Sequence, residues 1–295
     1  MKNKNIITYF AMNSHIFDWV PDKIYLQTIY YLLEGEKLDL NNPCKLNEKL
    51  QWLKLYNRNP LYTTLVDKYL VKQYVAKRIG EDYIIPTLGV WEHFDDIDFD
   101  LLPNQFVLKC THDSGSLIIC KDKNNFDKKS AKAKIERCLK RNYYWTAREW
   151  PYKNVHPRVI AEPYLKDSNS TELTDYKFYC YGEKPRYFMV SFGEAEHNVR
   201  NHKFDMTLHS IDYLFKKKKS VDENDITLPT NIDKMISIVE ALSVGFQHIR
   251  IDLYNIQGKI YFGEMTFSSG GGFINIDSDK LSSELAGYID LSKCK

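Results

Sequence analysis

The chain lacks any CxxC pair, any GxxxxGK phosphate loop followed by Ser or Thr, any internal repeat and any apolar run long enough to span a membrane. Its six cysteines (Cys44, Cys110, Cys120, Cys138, Cys180, Cys294) are scattered, which excludes a disulfide framework. Cys110, Cys120 and Cys180 lie in apolar, strand-like runs and read as buried free thiols in a reducing compartment. A net charge of +2 is too near balance for nucleic acid to be the main partner. The start, Lys2-Asn3-Lys4 followed by Ile6 to Met12, faintly resembles a signal peptide, but the apolar run is short and no small-x-small cleavage site follows. These absences together point to a cytoplasmic protein without a membrane span.

What is present is an ordinary globular composition, 43% hydrophobic and 27% charged, which excludes disorder. At 295 residues the chain can bury a substantial core, as two lobes or one large domain. Periodicity predicts helices over 22–34, from Asn47 as cap to Tyr56, from Thr63 or Thr64 to Gly80, over the basic stretch 127–141, and at about 231–244. Strand signals fall at 105–110, 117–120, 158–162, 175–181 and 186–192. Strands mixed with helices and joined as local hairpins argue an α+β fold with antiparallel sheet, not a doubly wound parallel one.

The stretch from Ile249 to Phe267 holds the strongest chemical signal. Ile249, Ile251 and Leu253 alternate with Arg250, Asp252 and Tyr254, the period of a strand with one buried face. A three-residue loop Ile256-Gln257-Gly258 predicts a hairpin pairing Asn255 with Lys259, Asp252 with Phe262 and Arg250 with Glu264. Asp252 and Glu264 then become diagonal neighbours on one face, and a one-residue slip would move Glu264 to the other. Two carboxylates so gathered suit a hard cation such as magnesium; they equally suit a salt bridge on an ordinary hairpin.

Upstream, Phe106 to Cys110 is a strand carrying Lys109. It runs into Thr111-His112-Asp113-Ser114-Gly115-Ser116 and then the apolar Leu117 to Cys120. A Ser/Gly loop exposes consecutive N–H groups to an anion, and a lysine beside it adds a point charge for phosphate. A hairpin turn with an incidental lysine has the same sequence. Val159 to Leu165 is an apolar strand running through Glu162 into Pro163, Tyr164 and Leu165. Asp175 and Lys177 share a strand face, as a cross-strand ion pair would.

In this order, Asp67-Lys68, Lys109 with its loop, Glu162, Arg250-x-Asp252, Glu264-x-Thr266 and the glycine run 270–272 resemble the ATP-grasp superfamily. More narrowly, Leu46 to Leu53, Leu65 to Tyr69, Arg148 to Asn154 and Gly263 to Phe267 are similar to the TupA-like ATP-grasp family, tied to teichuronopeptide and other surface polysaccharides. The resemblance covers roughly residues 22–275. It implies an α+β ATP-grasp fold with a helical N-terminal segment (1–60), an N-terminal lobe with the phosphate loop (61–160) and a C-terminal lobe with the metal site (161–295). It implies ATP and Mg2+ as cofactors, with Lys68 and Lys109 toward the phosphates and Lys177 also among the nucleotide-binding residues. Thr111, His112, Ser114, Gly115 and Ser116 would form the closing loop, and Glu162, Tyr164 and Leu165 would meet the adenine. Asp252, Glu264 and Thr266 would hold the metal, and Arg250 would face the tetrahedral centre, with Lys109 beside it. Arg148, Trp150, Lys153, Arg200 and Gly270 are the candidates for substrate contact. The implied activity joins an amine or amino acid to a carboxylate through an acyl phosphate. The expected partners are that small-molecule amine and a carboxylate-bearing sugar or glycan.

Two departures stand out: Thr266 replaces the asparagine frequent in the superfamily's metal motif, and Asp113 brings negative charge into the phosphate loop. They motivate a non-catalytic nucleotide- or glycan-binding relative as one rival reading. Asp96-Ile97-Asp98 and Asp277-Ser278-Asp279 match the DxD pattern of glycosyltransferases and motivate another. The basic runs 128–141 and 216–219 read as solvated charge, and His197, Arg200, Asn201 and His202 as an acceptor-side patch or plain surface.

Overall fold

The computed structural model describes residues 16–167, 173–193, 199–216 and 221–294. Two antiparallel sheets organise it. The smaller has the order β1-β4-β2-β3, from Gly89–Trp91 (β1), Phe106–Cys110 (β2), Ile118–Cys120 (β3) and Val159–Pro163 (β4). The larger has the order β7-β6-β5-β8-β9, from Asp175–Tyr181 (β5), Lys184–Phe192 (β6), Arg200–Asp205 (β7), His248–Ile256 (β8) and Lys259–Thr266 (β9). The expected α+β architecture with local hairpins is what forms.

Helices α1 (Asp22–Glu34) and α2 (Leu46–Tyr56) precede the sheets. Glu48, not Asn47, closes the start of α2: its carboxylate accepts the N–H groups of Cys44 and Lys45, each at 2.9 Å. The single helix expected from Thr63 to Gly80 is broken into α3 (Leu61–Val66) and α4 (Leu70–Ile79). Asp67 makes the break, since its side chain accepts the N–H of Tyr69 (2.8 Å) and of Leu70 (3.0 Å) and restarts the helix. Helices α5 (Lys128–Leu139), α6 (Tyr144–Ala147) and α7 (Ile232–Ser243) follow, and α8 (Asp279–Tyr288) was not foreseen.

Each sheet packs one face on a layer of helices, and the large sheet buries much of its other face as well. Ala131, Ile135 and Cys138 of α5 pack on Phe106, Leu108, Val159 and Ala161 of the small sheet. Helices α3, α4 and α7 cover the large sheet, setting Leu65, Val75, Met235 and Leu242 against Phe178, Phe188, Ile251 and Phe262. Strand alternation then sends Lys109 and Glu162 to the uncovered face of the small sheet. It sends Asp175, Lys177, Arg250 and Asp252 to the other face of the large one. On that second face, Tyr179, Tyr181 and Tyr187 pack with Leu46 and Leu50 of α2 and Leu285 of α8. Cys110, Cys120 and Cys180 are buried free thiols, as expected, and Cys138 joins them. Among the described residues no helix is long and apolar enough to cross a membrane.

Candidate nucleotide and metal site

The hairpin β8–β9 differs in register from its expected form, in a way that preserves its chemistry. The turn has two residues, Gln257 and Gly258, both at positive φ (53° and 84°), so Ile256 pairs with Lys259. That is a one-residue slip from the expected pairing, and it puts Phe262 on the core side, opposite Leu253. A bulge at Gly263 then slips the register once more. Asp252 therefore pairs directly with Glu264, not diagonally, and Arg250 faces Thr266. Two slips restore the parity, so Arg250, Asp252, Glu264 and Thr266 share the face opposite α3, α4 and α7.

There they form one ion network. Arg250 donates to both oxygens of Asp252, through Nε at 2.6 Å and a terminal nitrogen at 2.8 Å, and also to Glu264 Oε1. Lys177 bridges Asp175 and Asp252, the latter at 3.1 Å, and the Thr266 hydroxyl donates to Glu264 at 3.1 Å. Burial favours a neutral Glu264, but Arg250, Lys68 and Lys177 overcome it and bring its pKa down to about 2. Burial pushes the Asp175 carboxyl up, with Lys177 opposing and Asp252 reinforcing. Asp252 is 2% exposed with both oxygens engaged by cations, whereas Glu264 is 35% exposed, leaving Glu264 the better placed to reach a ligand. Among the described residues no cluster of three His, Cys, Asp or Glu side chains gathers as a closed metal cage. Two opposed carboxylates and a hydroxyl fit a cation that completes its octahedron with phosphates and water, as magnesium does.

The loop 111–116 is built from its own polar groups. Ser116 Oγ donates to Asp113 Oδ1 (2.6 Å) and accepts the Cys110 N–H (2.7 Å). Arg141 pairs with Asp113 Oδ2 (2.8 Å) and donates to the Ser114 carbonyl (2.7 Å). Asp113 is thus a neutralised brace, 1% exposed, and not a charge turned toward phosphate. His112 is buried against the end of α5, its Nε2 3.1 Å from the carbonyls of Cys138 and Arg141, and burial lowers its pKa. Thr111 is fully buried; Ser114 and Gly115 are the exposed tip, with Gly115 at φ 91°. Lys68 sits at the α3–α4 break, where its N–H donates to Thr111 O (3.0 Å) and its ammonium to Asp113 O. The ion pair of Asp67 with Arg158 (2.7 Å) ties this break to the small sheet.

Lys72, which sequence reasoning missed, stands beside Lys109 at Glu162. It and Lys109 each pair with a Glu162 oxygen at 2.6 Å. Burial opposes the Glu162 charge, but Lys109 and Lys72 hold its pKa below the usual carboxylate range. Lys72 also donates to Ile85 O and the Thr87 hydroxyl, both at 2.8 Å. The signal was the Asp67 cap: restarting the helix there turns Lys72 toward the small sheet. Tyr164 and Leu165, half-buried, follow Glu162 at the end of β4.

The substrate candidates scatter. Arg148 is 1% exposed and belongs to the fold: its guanidinium donates to Phe17 O (2.7 Å) and lies 4.4 Å from the rings of Tyr25 and Trp145. Trp150 packs at the edge of the main core, Lys153 is exposed over the Tyr144 ring, and Arg200 is half-buried on β7. Gly270 is exposed at φ 61°. His202 is held by the Ser210 hydroxyl (2.7 Å) and Val221 O (2.9 Å); His197 and residues 217–219 lie outside the described residues. Neither DxD triplet gathers a metal site: Asp98 accepts the Asp100 N–H (3.0 Å) in a turn, and Ser278 caps α8 through the Leu281 N–H (3.2 Å).

Comparison with curated proteins gives no match. Among solved structures, D-alanine–D-alanine ligase from Bacillus anthracis is 16% identical (TM-score 0.40), over 78% of this chain and 65% of that one. The ATP-grasp ligase PsnB, complexed with minimal precursor, Mg and ADP, is 12% identical (TM-score 0.41), over 96% and 75%. D-cycloserine synthetase DcsG is 15% identical (TM-score 0.41), over 78% and 72%. The chain thus spans about two thirds of the length of the first of these ligases. The sequence model of the TupA-like ATP-grasp family matches residues 48–290, a range that contains both sheets, the loop 111–116 and the whole β8–β9 ion network. The chain belongs to the TupA-like ATP-grasp family.

Proposed function

We propose that the chain is an ATP- and magnesium-dependent ligase that forms an amide between a carboxylate and an amine or amino acid. The carboxylate substrate in this reading is a uronic acid of a surface polysaccharide or its precursor, in keeping with the family's tie to teichuronopeptide. One observation carries it: Lys177 of β5 and Arg250, Asp252, Glu264 and Thr266 of the hairpin converge on the sheet face opposite α3, α4 and α7, with Lys68 close enough to act on Glu264. Phosphoryl transfer asks a protein mainly for positioning and charge neutralisation, and this array supplies both. ATP-grasp ligases named among the structural neighbours, one solved with Mg and ADP, agree with the reading without extending it.

In this mechanism Asp252 and Glu264 would hold the magnesium, with Thr266 orienting Glu264. The cation neutralises phosphate charge when bound. Lys109, Lys72 and Lys177 exchange carboxylate partners for phosphate oxygens, and Lys68 keeps the loop tip Ser114-Gly115 over them. Arg250, fixed by two carboxylates, presents a planar cation to the charge developing at the acyl centre. Buried free thiols and the need for ATP support a cytoplasmic setting.

The test is ADP release over a panel of uronic acids, nucleotide-sugar uronates and amino acids, offered singly and in pairs. ADP should accumulate only when a carboxylate and an amine are both present. Glu264→Ala should lower turnover by roughly a hundred-fold or more, the scale of losing a principal charge stabiliser. No ATP binding at millimolar magnesium would sink the proposal.

A further inference from the structure

Beside the tip of the loop 111–116 lies a cavity of about 600 Å3, bounded by Ser114 and Gly115, the C-terminal end of α5 and Trp145. Arg137, Lys140 and Arg141 line it against one acid, Asp18. Arg141 is already matched, since it pairs with Asp113 and donates to Ser114 O. Arg137 and Lys140 are exposed, and among the described residues neither makes an ion pair. A helix end ordinarily disfavours anions through its free carbonyls. Here the last carbonyls are occupied: Cys138 O accepts the Arg141 N–H (3.0 Å), and His112 Nε2 lies 3.1 Å from both Cys138 O and Arg141 O. The helix end thus takes little from the positive charge of the cavity.

One wall is aromatic and fixed. Trp145 is half-buried, with the Arg148 guanidinium 4.4 Å from its ring and Tyr144 edge-on at 4.8 Å between centroids. A pinned indole beside cations suits a ligand with a flat apolar face and negative charge at its rim. A sugar acid has that shape, its ring C–H groups meeting the indole and its carboxylate a guanidinium. A nucleic-acid strand would ask for successive aromatic platforms, and the cavity has one. The cationic track continues along α5. Ser130, Lys134 and Arg137 recur on one helix face, roughly 10 Å from first to last. Ser130 and Lys134 line a second cavity, of about 570 Å3, together with Lys121. That track is longer than one sugar ring.

We propose that this cavity is a subsite for a carboxylate-bearing sugar of an acidic glycan, adjoining the sugar that reacts. Arg137 and Lys140 meet its carboxylate, and Trp145 meets its ring. The assignment rests on the ligase reading above and narrows it: the carboxylate substrate is an oligomer with acid groups on adjoining sugars, not a single sugar acid. The occupant touches the same loop tip, Ser114-Gly115, that the mechanism places over the phosphates.

The experiment uses the full chain with magnesium and a non-hydrolysable ATP analogue, at about 0.15 M salt, where bare surface charge is largely screened. Four probes are titrated by calorimetry: trigalacturonate, an acidic trisaccharide; maltotriose, a neutral one; galacturonate alone; and an oligothymidylate of the same charge as trigalacturonate. Trigalacturonate should bind about ten-fold or more tighter than each of the others. Arg137→Gln combined with Lys140→Gln, both at exposed positions, should weaken trigalacturonate by roughly ten- to hundred-fold, the range of lost charge-assisted hydrogen bonds. Affinity for the analogue should stay unchanged. Binding of any other probe as tightly as trigalacturonate, or unchanged trigalacturonate binding in the double variant, overturns the assignment. The wild-type comparison decides even where the variant does not fold. Failure of the ATP analogue to bind marks failure of the ligase reading itself; analogue binding with no preference for trigalacturonate marks failure of this one alone.

Discussion

Among the arginines near the ion network, surroundings separate one sealed into the fold from one facing the hairpin carboxylates. Arg148 and Arg250 are both arginines beside carboxylates, yet Arg148 is sealed between Tyr25 and Trp145 while Arg250 faces Asp252 and Glu264. Replacing Arg148 by lysine removes the planar stack and the reach to Phe17 O together. Arg148→Lys should then lower unfolding free energy by about 2 kcal/mol, read from urea denaturation. An unchanged denaturation midpoint would show that the stacked anchor contributes nothing. Its place next to Trp150 and Lys153 in a family-like stretch made Arg148 look like a substrate contact. Only its neighbours from α1, more than a hundred residues away in sequence, reveal the structural role. Lys72 was missed for the same reason, since its partner Glu162 lies ninety residues away in sequence.

For the elements, helix and strand positions followed from periodicity wherever an apolar stripe was clear, as in α1, α7 and β8. Short or half-exposed pieces escaped: β1 has three residues, and the α3–α4 break looks continuous until the Asp67 side chain is seen competing for backbone N–H groups. The hairpin shows how a wrong local detail can leave a correct face. The turn is shorter than expected by one residue, and the bulge at Gly263 compensates. A Cβ at Gly263 would sit 3.0 Å from Asp252 O and 3.2 Å from the Tyr254 ring, tighter than most Cβ contacts, so the Asp252 backbone would have to give way. Gly263→Val should therefore weaken the bulge and loosen the Asp252–Glu264 pairing. Affinity for magnesium–ATP, measured by calorimetry, should fall by about ten-fold or more while far-UV circular dichroism changes little. Full retention of affinity would mean that the bulge does not set the site.

On the scale of the whole molecule, His248 reports on global stability. It is buried, stacks on Tyr181 with ring centroids 4.8 Å apart, and donates Nδ1–H to Cys180 O at 3.1 Å, while Nε2 is buried without a hydrogen-bond partner among the described residues. Burial lowers its pKa from 6.5 to about 4, with Arg250 adding to the effect. The unfolded chain binds the extra proton first, so this contribution is present above pH 6.5 and is lost as pH falls toward about 4. The thermal midpoint should decline across that window, and His248→Asn should flatten the decline. An equally steep slope in the variant would remove His248 as its source.

By itself the sequence determined the α+β class, the strand alternation that separates Ile249, Ile251 and Leu253 from Arg250 and Asp252, and the residue types suited to phosphate and a hard cation. These depend on neighbours a few positions apart, which is where helix and strand periods act. Tertiary structure decided the rest. It chose Lys72 as well as Lys109 for Glu162, set His112 and Asp113 among buried hydrogen bonds, and sealed Arg148 between Tyr25 and Trp145. Those outcomes depend on which side chains meet across two sheets and a broken helix. Charge and hydrogen-bond energies act through space, so no local reading of the chain contains them.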